Sequence, residues 1–156
     1  MDNGPLLVHT VGGWQAGRYL SQVEADLPEI NRVASALRAL VDRTRRIVVT
    51  PQIVTEFQAV AQTRLDLNRE ASTGFLQFCR EFLYKLDERF TPLASLIQLK
   101  DAMRLWQLSF ADSSLIAASQ YTGLPLLTMD NELRTRSREL GVEVYHLYYD
   151  FYLKTI

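Results

Sequence analysis

One stretch constrains this chain more than any other. Ser109 to Ala118 opens as a helix, Leu124 to Thr128 is a short buried strand, and Val142 to Leu147 is another after an intervening helix. Helix, strand, helix, strand over some forty residues is the rhythm of a protein that alternates its elements. Asp112 stands at the helix start and Asp130 just past the strand end. Ligands bind at the carboxyl ends of strands in such folds, so the question is whether other parts of the chain supply partners for these two acids.

Each aspartate also has a plain structural role. Ser109-x-x-Asp112 before an apolar run fits a capping box. Asp130 suits the N-cap of the following helix, in which Leu133, Ser137 and Leu140 face inward and Arg134 and Arg138 share an outer face. Gly123 and Gly141 mark helix ends.

Upstream, Asp2-Asn3-Gly4-Pro5 is turn chemistry ahead of the apolar run Leu6-Leu7-Val8. Two alternatives stand here: a frayed terminus, or an Asp2 held just past a buried strand. His9, alone beside apolar residues, reads as a packing residue rather than a ligand. Leu27, Ile30, Val33, Ala34, Leu37, Leu40 and Val41 recur at helical spacing from about Pro28 to Asp42. The basic run Arg43 to Arg46 closes that helix, where the dipole favours cations; phosphate contact is its second reading.

Ile47 to Thr50 is a β-branched strand, and Thr50-Pro51 then starts a helix with a good N-cap and a proline at the first position. Glu56 falls at the edge of that helix's apolar face, one turn beyond the strand. It is either a surface glutamate or a site residue. Gly74 to Phe90 reads as one helix with an inward stripe of Phe75, Cys79, Phe82, Leu83, Leu86 and Phe90. Leu93 to Trp106 reads as further helix with Leu96, Leu99, Met103 and Trp106 inward. The aromatic tail from Tyr148 to Tyr152 is expected to pack on the sheet or in a subunit contact.

Together these elements predict a three-layer α/β/α sandwich with a mainly parallel sheet, as a single domain over residues 1–156. A net charge of −1 gives no global basic field. The single Cys79 excludes an internal disulfide, and no apolar run reaches the length of a membrane span. No basic start with a long apolar core opens the chain, so a cytoplasmic protein with no membrane partner is expected.

Asp2, Glu56, Asp112 and Asp130 are then the candidate cluster. Several carboxylates at one sheet edge do not all stay ionised without a cation, and Mg²⁺ or Mn²⁺ takes oxygen ligands. Such a centre activates water and stabilises charge on a phosphodiester. No Ser/His/Asp set, Cys/His pair, Walker loop or GxGxxG is present.

Asp2-Asn3-Gly4-Pro5-Leu6-Leu7, Thr50-Pro51-x-Ile53-x-x-Glu56, Phe110-Ala111-Asp112-Ser113-x-x-Ile116-Ala117-Ala118 and Leu127-Thr128-x-Asp130 resemble, in this order, the acidic motifs of PIN-domain proteins, especially single-domain VapC-like toxins. The resemblance implies a PIN-like sandwich and a metal-dependent endoribonuclease, a hydrolase of RNA phosphodiester bonds that uses Mg²⁺ or Mn²⁺. It further implies the toxin of a type II toxin–antitoxin pair, with RNA as substrate and an antitoxin protein as partner. Asp2, Glu56, Asp112 and Asp130 would be catalytic and metal-binding and Thr128 a supporting hydroxyl. Apart from the resemblance, the charges of Arg134, Arg138 and the Arg43 to Arg46 run make them candidates for contact with RNA phosphates. A homodimer is expected from the aromatic tail. In the family the first Asp ends a full central strand. Here only Met1 precedes Asp2. The alternative is that Leu6 to Thr10 is itself the strand. A non-catalytic PIN-like binding or regulatory module is the competing function.

Overall fold

The computed structural model describes residues 1–23 and 29–152, with no side-chain description for 151 and 152. Leu27 and Pro28, and the side chains of Phe151 and Tyr152, therefore lie outside the described residues.

The turn residues at the start of the chain begin a helix. Asp2 has extended backbone angles and its side chain accepts from the Asn3 N–H at 2.6 Å, capping α1 (Asn3–Gly13). Pro5 falls in the first turn, where backbone N–H groups have no intrahelical partner, so it is tolerated. Leu6, Leu7, Val8 and Val11 are all buried. A helix apolar on nearly every side belongs in a core, and α1 packs against α3 (Ile30–Arg43), α4 (Pro51–Arg64), α5 (Arg69–Leu83) and β3 (Leu126–Thr128). Gly12 permits close approach to α3, since a Cβ there would meet the Ala34 Cβ at 3.0 Å. The short α2 (Leu20–Val23) lies between α1 and α3 in sequence and packs on both.

β1 (Val48–Val49) pairs in parallel with β2 (Asp87–Glu88). β3 pairs in parallel with β4 (Val144–His146), in the register Leu126 to Val144 and Thr128 to His146. The chain passes between the two pairs only as Met1 and Asp2. The Met1 amino group donates to the Val48 carbonyl at 2.8 Å, and the Asp2 N–H donates to the Leu127 carbonyl at 3.0 Å. Past Asp2 the chain is already helical.

This overturns the expected three-layer α/β/α sandwich with a mainly parallel sheet. The described chain is predominantly helical, with two separate two-stranded parallel sheets. The physical reason lies in two places. The apolar run after Asp2, including Leu6 to Thr10, forms α1 rather than a strand, so nothing bridges β1 and β3 along their length. β1 and β3 are two and three residues long because the caps at Thr50 and Asp130 start helices just after them. A cavity of about 290 Å³ remains between the pairs, lined by Met1, Leu40, Val48, Leu126 and Tyr145 among others.

The remaining helices are α6 (Leu93–Met103), α7 (Phe110–Thr122) and α8 (Asn131–Glu139), and a wide helical turn (Leu147–Tyr152) follows β4. The expected helix from Gly74 to Phe90 instead ends at Leu83, and Asp87 and Glu88 pair with β1. Phe75 and Cys79 are buried as expected, but Phe90, Met103 and Trp106 are exposed. Burial pushes the Cys79 thiol up to about 12, so it is an inert core group. His9 packs on Phe82 with ring centroids 4.3 Å apart. Among the described residues, no helix is long and apolar enough to cross a membrane.

Candidate functional site

Four separate stretches deliver an acid to one place. Asp2 caps α1, Glu56 lies one turn into α4, Asp112 is in the first turn of α7 and Asp130 caps α8. All four line a single pocket of about 340 Å³. Its remaining lining includes Asn3, Gly4, Ser109 and Met129, the apolar Leu7, Val8, Val23 and Val60, and Arg64. Gly4 lets the start of α1 lie close to Met129, because a Cβ there would meet the Met129 Cβ at 3.3 Å.

Local sequence explains each placement. Thr50 accepts from the Ile53 N–H at 3.4 Å and Pro51 follows it at the first helical position, which fixes where α4 begins. The Thr50 and Ser114 hydroxyls are 2.6 Å apart and buried; Ser114 also donates to the Ala111 carbonyl at 2.7 Å. This contact ties the start of α4 to the start of α7, so Glu56 and Asp112 are set against each other. The capping box is present: the Asp112 N–H donates to Ser109 Oγ at 3.0 Å, and Asp112 Oδ2 accepts from the Ser109 N–H at 3.2 Å and its hydroxyl at 2.8 Å. Lys100, itself buried, donates through Nζ to the Leu108 carbonyl one residue before that cap.

Thr128 is the hub. Its buried hydroxyl donates to Asp2 Oδ2 at 2.6 Å and accepts from the Asp130 N–H at 2.8 Å. Asp130 Oδ1 in turn accepts from the N–H groups of Glu132 at 2.6 Å and Leu133 at 2.9 Å. The capping bonds of Asp112 thus fall on one oxygen, Oδ2, and those of Asp130 on Oδ1.

The acids act on one another. Burial raises the Asp2 carboxyl above its ordinary value against the lowering bonds from Thr128 and Asn3, and Asp112 raises it further. Burial raises Asp112, opposed by the Ser109 bonds and reinforced by Asp130 and Glu132. Glu56 is raised by burial, then by Asp112 and Asp2. Each shift means that the charged forms are held at a cost that a cation in the pocket would offset.

The donor chemistry fits a hard divalent cation. The lining is rich in carboxylate oxygens, and Asn3 adds a buried Oδ1 with no hydrogen-bond partner. Among the described residues, no three His, Cys, Asp or Glu side chains stand close enough to share an ion. A Mg²⁺ ion in this pocket would therefore be held by at most two carboxylates, with waters completing its shell.

The arginines expected to contact RNA lie elsewhere. Arg134 pairs with Asp150 at 3.3 Å and sits over the Tyr149 ring, and Arg138 reaches the same carboxylate at 3.8 Å. Neither lines the acidic pocket. In the basic run after α3, Arg46 bonds Asp87 through Nε at 2.7 Å. Sequence reasoning missed Asn3 and Arg64. The second had a visible signal: residues 56, 60 and 64 are spaced by four on one helix, so Arg64 shares the face of Glu56. Comparison with models of protein families, with curated proteins and with solved structures finds no match to this chain.

Proposed function

We propose that this chain is a metal-dependent endoribonuclease. One observation carries the proposal: four acids from four distant stretches line a common pocket, three of them with raised carboxyl pKa values caused by burial and mutual repulsion. The helical architecture departs from the sandwich of PIN-domain proteins, so support comes from the pocket together with the order of the acidic motifs.

Asp112 and Asp130, each with one oxygen outside its capping bonds, would hold Mg²⁺ or Mn²⁺ with waters completing the shell, and Glu56, Asp2 and the Asn3 amide oxygen line the same pocket. The bound cation supplies an activated water and charge neutralisation at a phosphodiester. The chain's own residues set the stage for that chemistry. Thr128 fixes Asp2 and the start of α8 through one hydroxyl. Ser109 orients Asp112 by occupying Oδ2. Leu7, Val8, Val23 and Val60 supply the apolar part of the pocket lining. The choice of RNA over DNA, and the extension to a toxin neutralised by an antitoxin protein, follow from the resemblance to VapC-like toxins.

A fluorescent single-stranded RNA incubated with the protein, with Mg²⁺, Mn²⁺ or EDTA, tests this. Cleavage is expected with either metal, lost in EDTA, and lost in both Asp112→Asn and Asp130→Asn at unchanged helical content. Undiminished cleavage by both variants, or cleavage indifferent to EDTA, overturns the assignment. A second reading, a non-catalytic binding module, is favoured by the capping bonds that Asp2, Asp112 and Asp130 already make and by the spacing of the carboxylates. It requires that calorimetric titration with Mg²⁺ or Mn²⁺ give no binding heat.

A further inference from the structure

Lys100 turns its amino group inward. It stands in the last turn of α6 and is only 4% exposed, and its Nζ donates to the Leu108 carbonyl. The same ammonium lies 5.6 Å from the centre of the Trp106 ring and 4.5 Å from that of Phe110, both within cation–π range. Those two residues face outward: Trp106 is 60% exposed and Phe110 42%. The chain between them is pinned. Leu105 and Leu108 are buried, and the Leu108 N–H donates to the Leu105 carbonyl at 3.0 Å, which closes a turn with Trp106 as a central residue. Gln107, the other central residue, accepts through Oε1 from Arg136 of α8 at 2.9 Å. Two exposed aromatic rings thus rest on one buried cation, with the turn tied to the helix that follows Asp130.

The rings adjoin the acidic pocket. Phe110 stands between Ser109 and Asp112 in the chain, and both of these line the pocket. Phe110 and Asp112 are two positions apart on α7, so they leave the helix on opposite sides, about 3 Å apart along its axis. A polymer laid across the start of α7 meets the acids on one side and the rings on the other.

Resting on the nuclease reading above, we propose that Trp106 and Phe110 form a stacking platform for an unpaired base of single-stranded RNA whose backbone crosses the start of α7. Every base has a π-face, so stacking on an aromatic ring binds a single strand without reading its sequence. In a duplex that face is covered by neighbouring base pairs, so the platform selects unpaired RNA. Rings fixed in advance lower the ordering cost of stacking. A net charge of −1 supplies no basic field to hold RNA, which leaves uncharged contacts of this kind a larger share of the affinity.

The rival role for two exposed rings is contact with a second copy of this chain. Binding of a short fluorescent single-stranded RNA, and of the same sequence as a duplex, is measured in Ca²⁺ over a salt series. Tryptophan emission is followed in parallel; of the two tryptophans Trp14 is buried, so Trp106 is the one that RNA reaches. The single strand should quench that emission, and the quenching should vanish in Trp106→Phe. Trp106→Leu and Phe110→Leu keep apolar bulk without a π-face, and each should weaken single-strand binding about five- to hundredfold. The slope of log K against log salt should not change, because no phosphate contact is lost. Trp106→Phe should recover most of the affinity, and duplex binding should stay within about twofold throughout. Single-strand binding by Trp106→Leu equal to wild type, or an equal loss on the duplex, overturns the platform. So does a wild-type dimer in light scattering that Trp106→Leu breaks up at unchanged RNA affinity, which assigns the rings to a self-contact. If the wild type binds the single strand with quenching yet does not cleave in Mg²⁺, the platform stands and the nuclease reading falls. If it cleaves but Trp106→Leu binds unchanged, the platform falls alone. If it binds no RNA, both fall.

Discussion

Replacing Thr128 with valine removes a hydroxyl and almost nothing else. The side chain is fully buried, so its two bonds have no water to replace them. One is donated to Asp2 Oδ2 at 2.6 Å, and a bond to a charged group contributes about 1.5–3 kcal/mol. The other is accepted from the Asp130 N–H at 2.8 Å and contributes about 0.5–1.5 kcal/mol. Together the loss is about 2–4 kcal/mol, or roughly 5–15 °C in Tm for a chain of this size. The pH dependence carries a sign. The Asp2 carboxyl is raised in the folded protein, chiefly by burial, and the Thr128 bond opposes that rise. A raised folded pKa contributes stability that is present below the unfolded value and lost as pH rises through the folded value. Removing Thr128 strengthens that effect, so the deficit of the variant relative to wild type must be larger at pH 7.5 than at pH 4. Urea unfolding of both proteins at the two pH values measures it, with the slope against denaturant unchanged. An equal deficit at both pH values, or a deficit below about 0.5 kcal/mol at pH 7.5, refutes the assignment of Thr128 as the group that supports a charged Asp2.

Glu56→Gln removes one of the like charges that raise one another in the pocket. At neutral pH it should stabilise the metal-free protein by less than about 1 kcal/mol, since Glu56 is partly exposed, with the gain vanishing under acid as Glu56 protonates; thermal denaturation at pH 7.5 and pH 4 compares them. Mg²⁺ should raise the Tm of wild type, by about 2.7 kcal/mol of stabilisation at a hundredfold excess over its Kd, and leave Asp112→Asn nearly unmoved. Lys100→Ala strips the donor from the Leu108 carbonyl before the Ser109 cap and should cost about 1–3 kcal/mol, read as a lowered urea midpoint. Acetylation of Met1 removes a buried charge: burial lowers that amine from 8.0 to about 6. Its folded pKa lies below the unfolded one, so the penalty is full below pH 6 and absent above pH 8, and acetylated protein should gain Tm at pH 5.5 but not at pH 8.5.

What the sequence made legible was local. Thr50-Pro51, Ser109-x-x-Asp112, Asp130 and Gly123 act through bonds to residues three or four positions away, and each is found where the pattern places it. The strand cores Val48–Val49, Leu126–Thr128 and Val144–His146 also follow from short β-branched or apolar runs. The failures concern what those runs pair with. Asn3-Gly4-Pro5 is equally good as a turn and as a first helical turn, and the burial of Leu6, Leu7 and Val8 decided for helix. Sheet formation depends on a long bridging strand, a nonlocal property that no single run encodes. The Asp87–Glu88 pairing escaped for the same reason, because two acidic residues become a strand only through the neighbour they meet.

The site survives the loss of the predicted sheet because helix starts, rather than sheet edges, assemble it. Asp2, Asp112 and Asp130 each stand at the beginning of a helix, where unpaired N–H groups and the dipole favour a carboxylate. Capping therefore brings charge to one place using bonds within each stretch. Two cross-links then set the stretches against each other: Thr128 to Asp2, and Thr50 to Ser114. Repulsion among the acids is the cost of this assembly, and it is borne unequally. Asp2 is almost fully buried and spends both oxygens on protein donors, whereas the capping bonds of Asp112 and Asp130 fall on one oxygen each. A division of labour follows. On the proposed metal-binding reading, Asp2 would hold the framework of the pocket, and Asp112 and Asp130 would take the cation. Asp2→Asn should then lower stability more than Asp130→Asn does, while Asp130→Asn should weaken Mg²⁺ binding more; calorimetric titration and urea unfolding of the two variants would show the reverse order if the roles were exchanged.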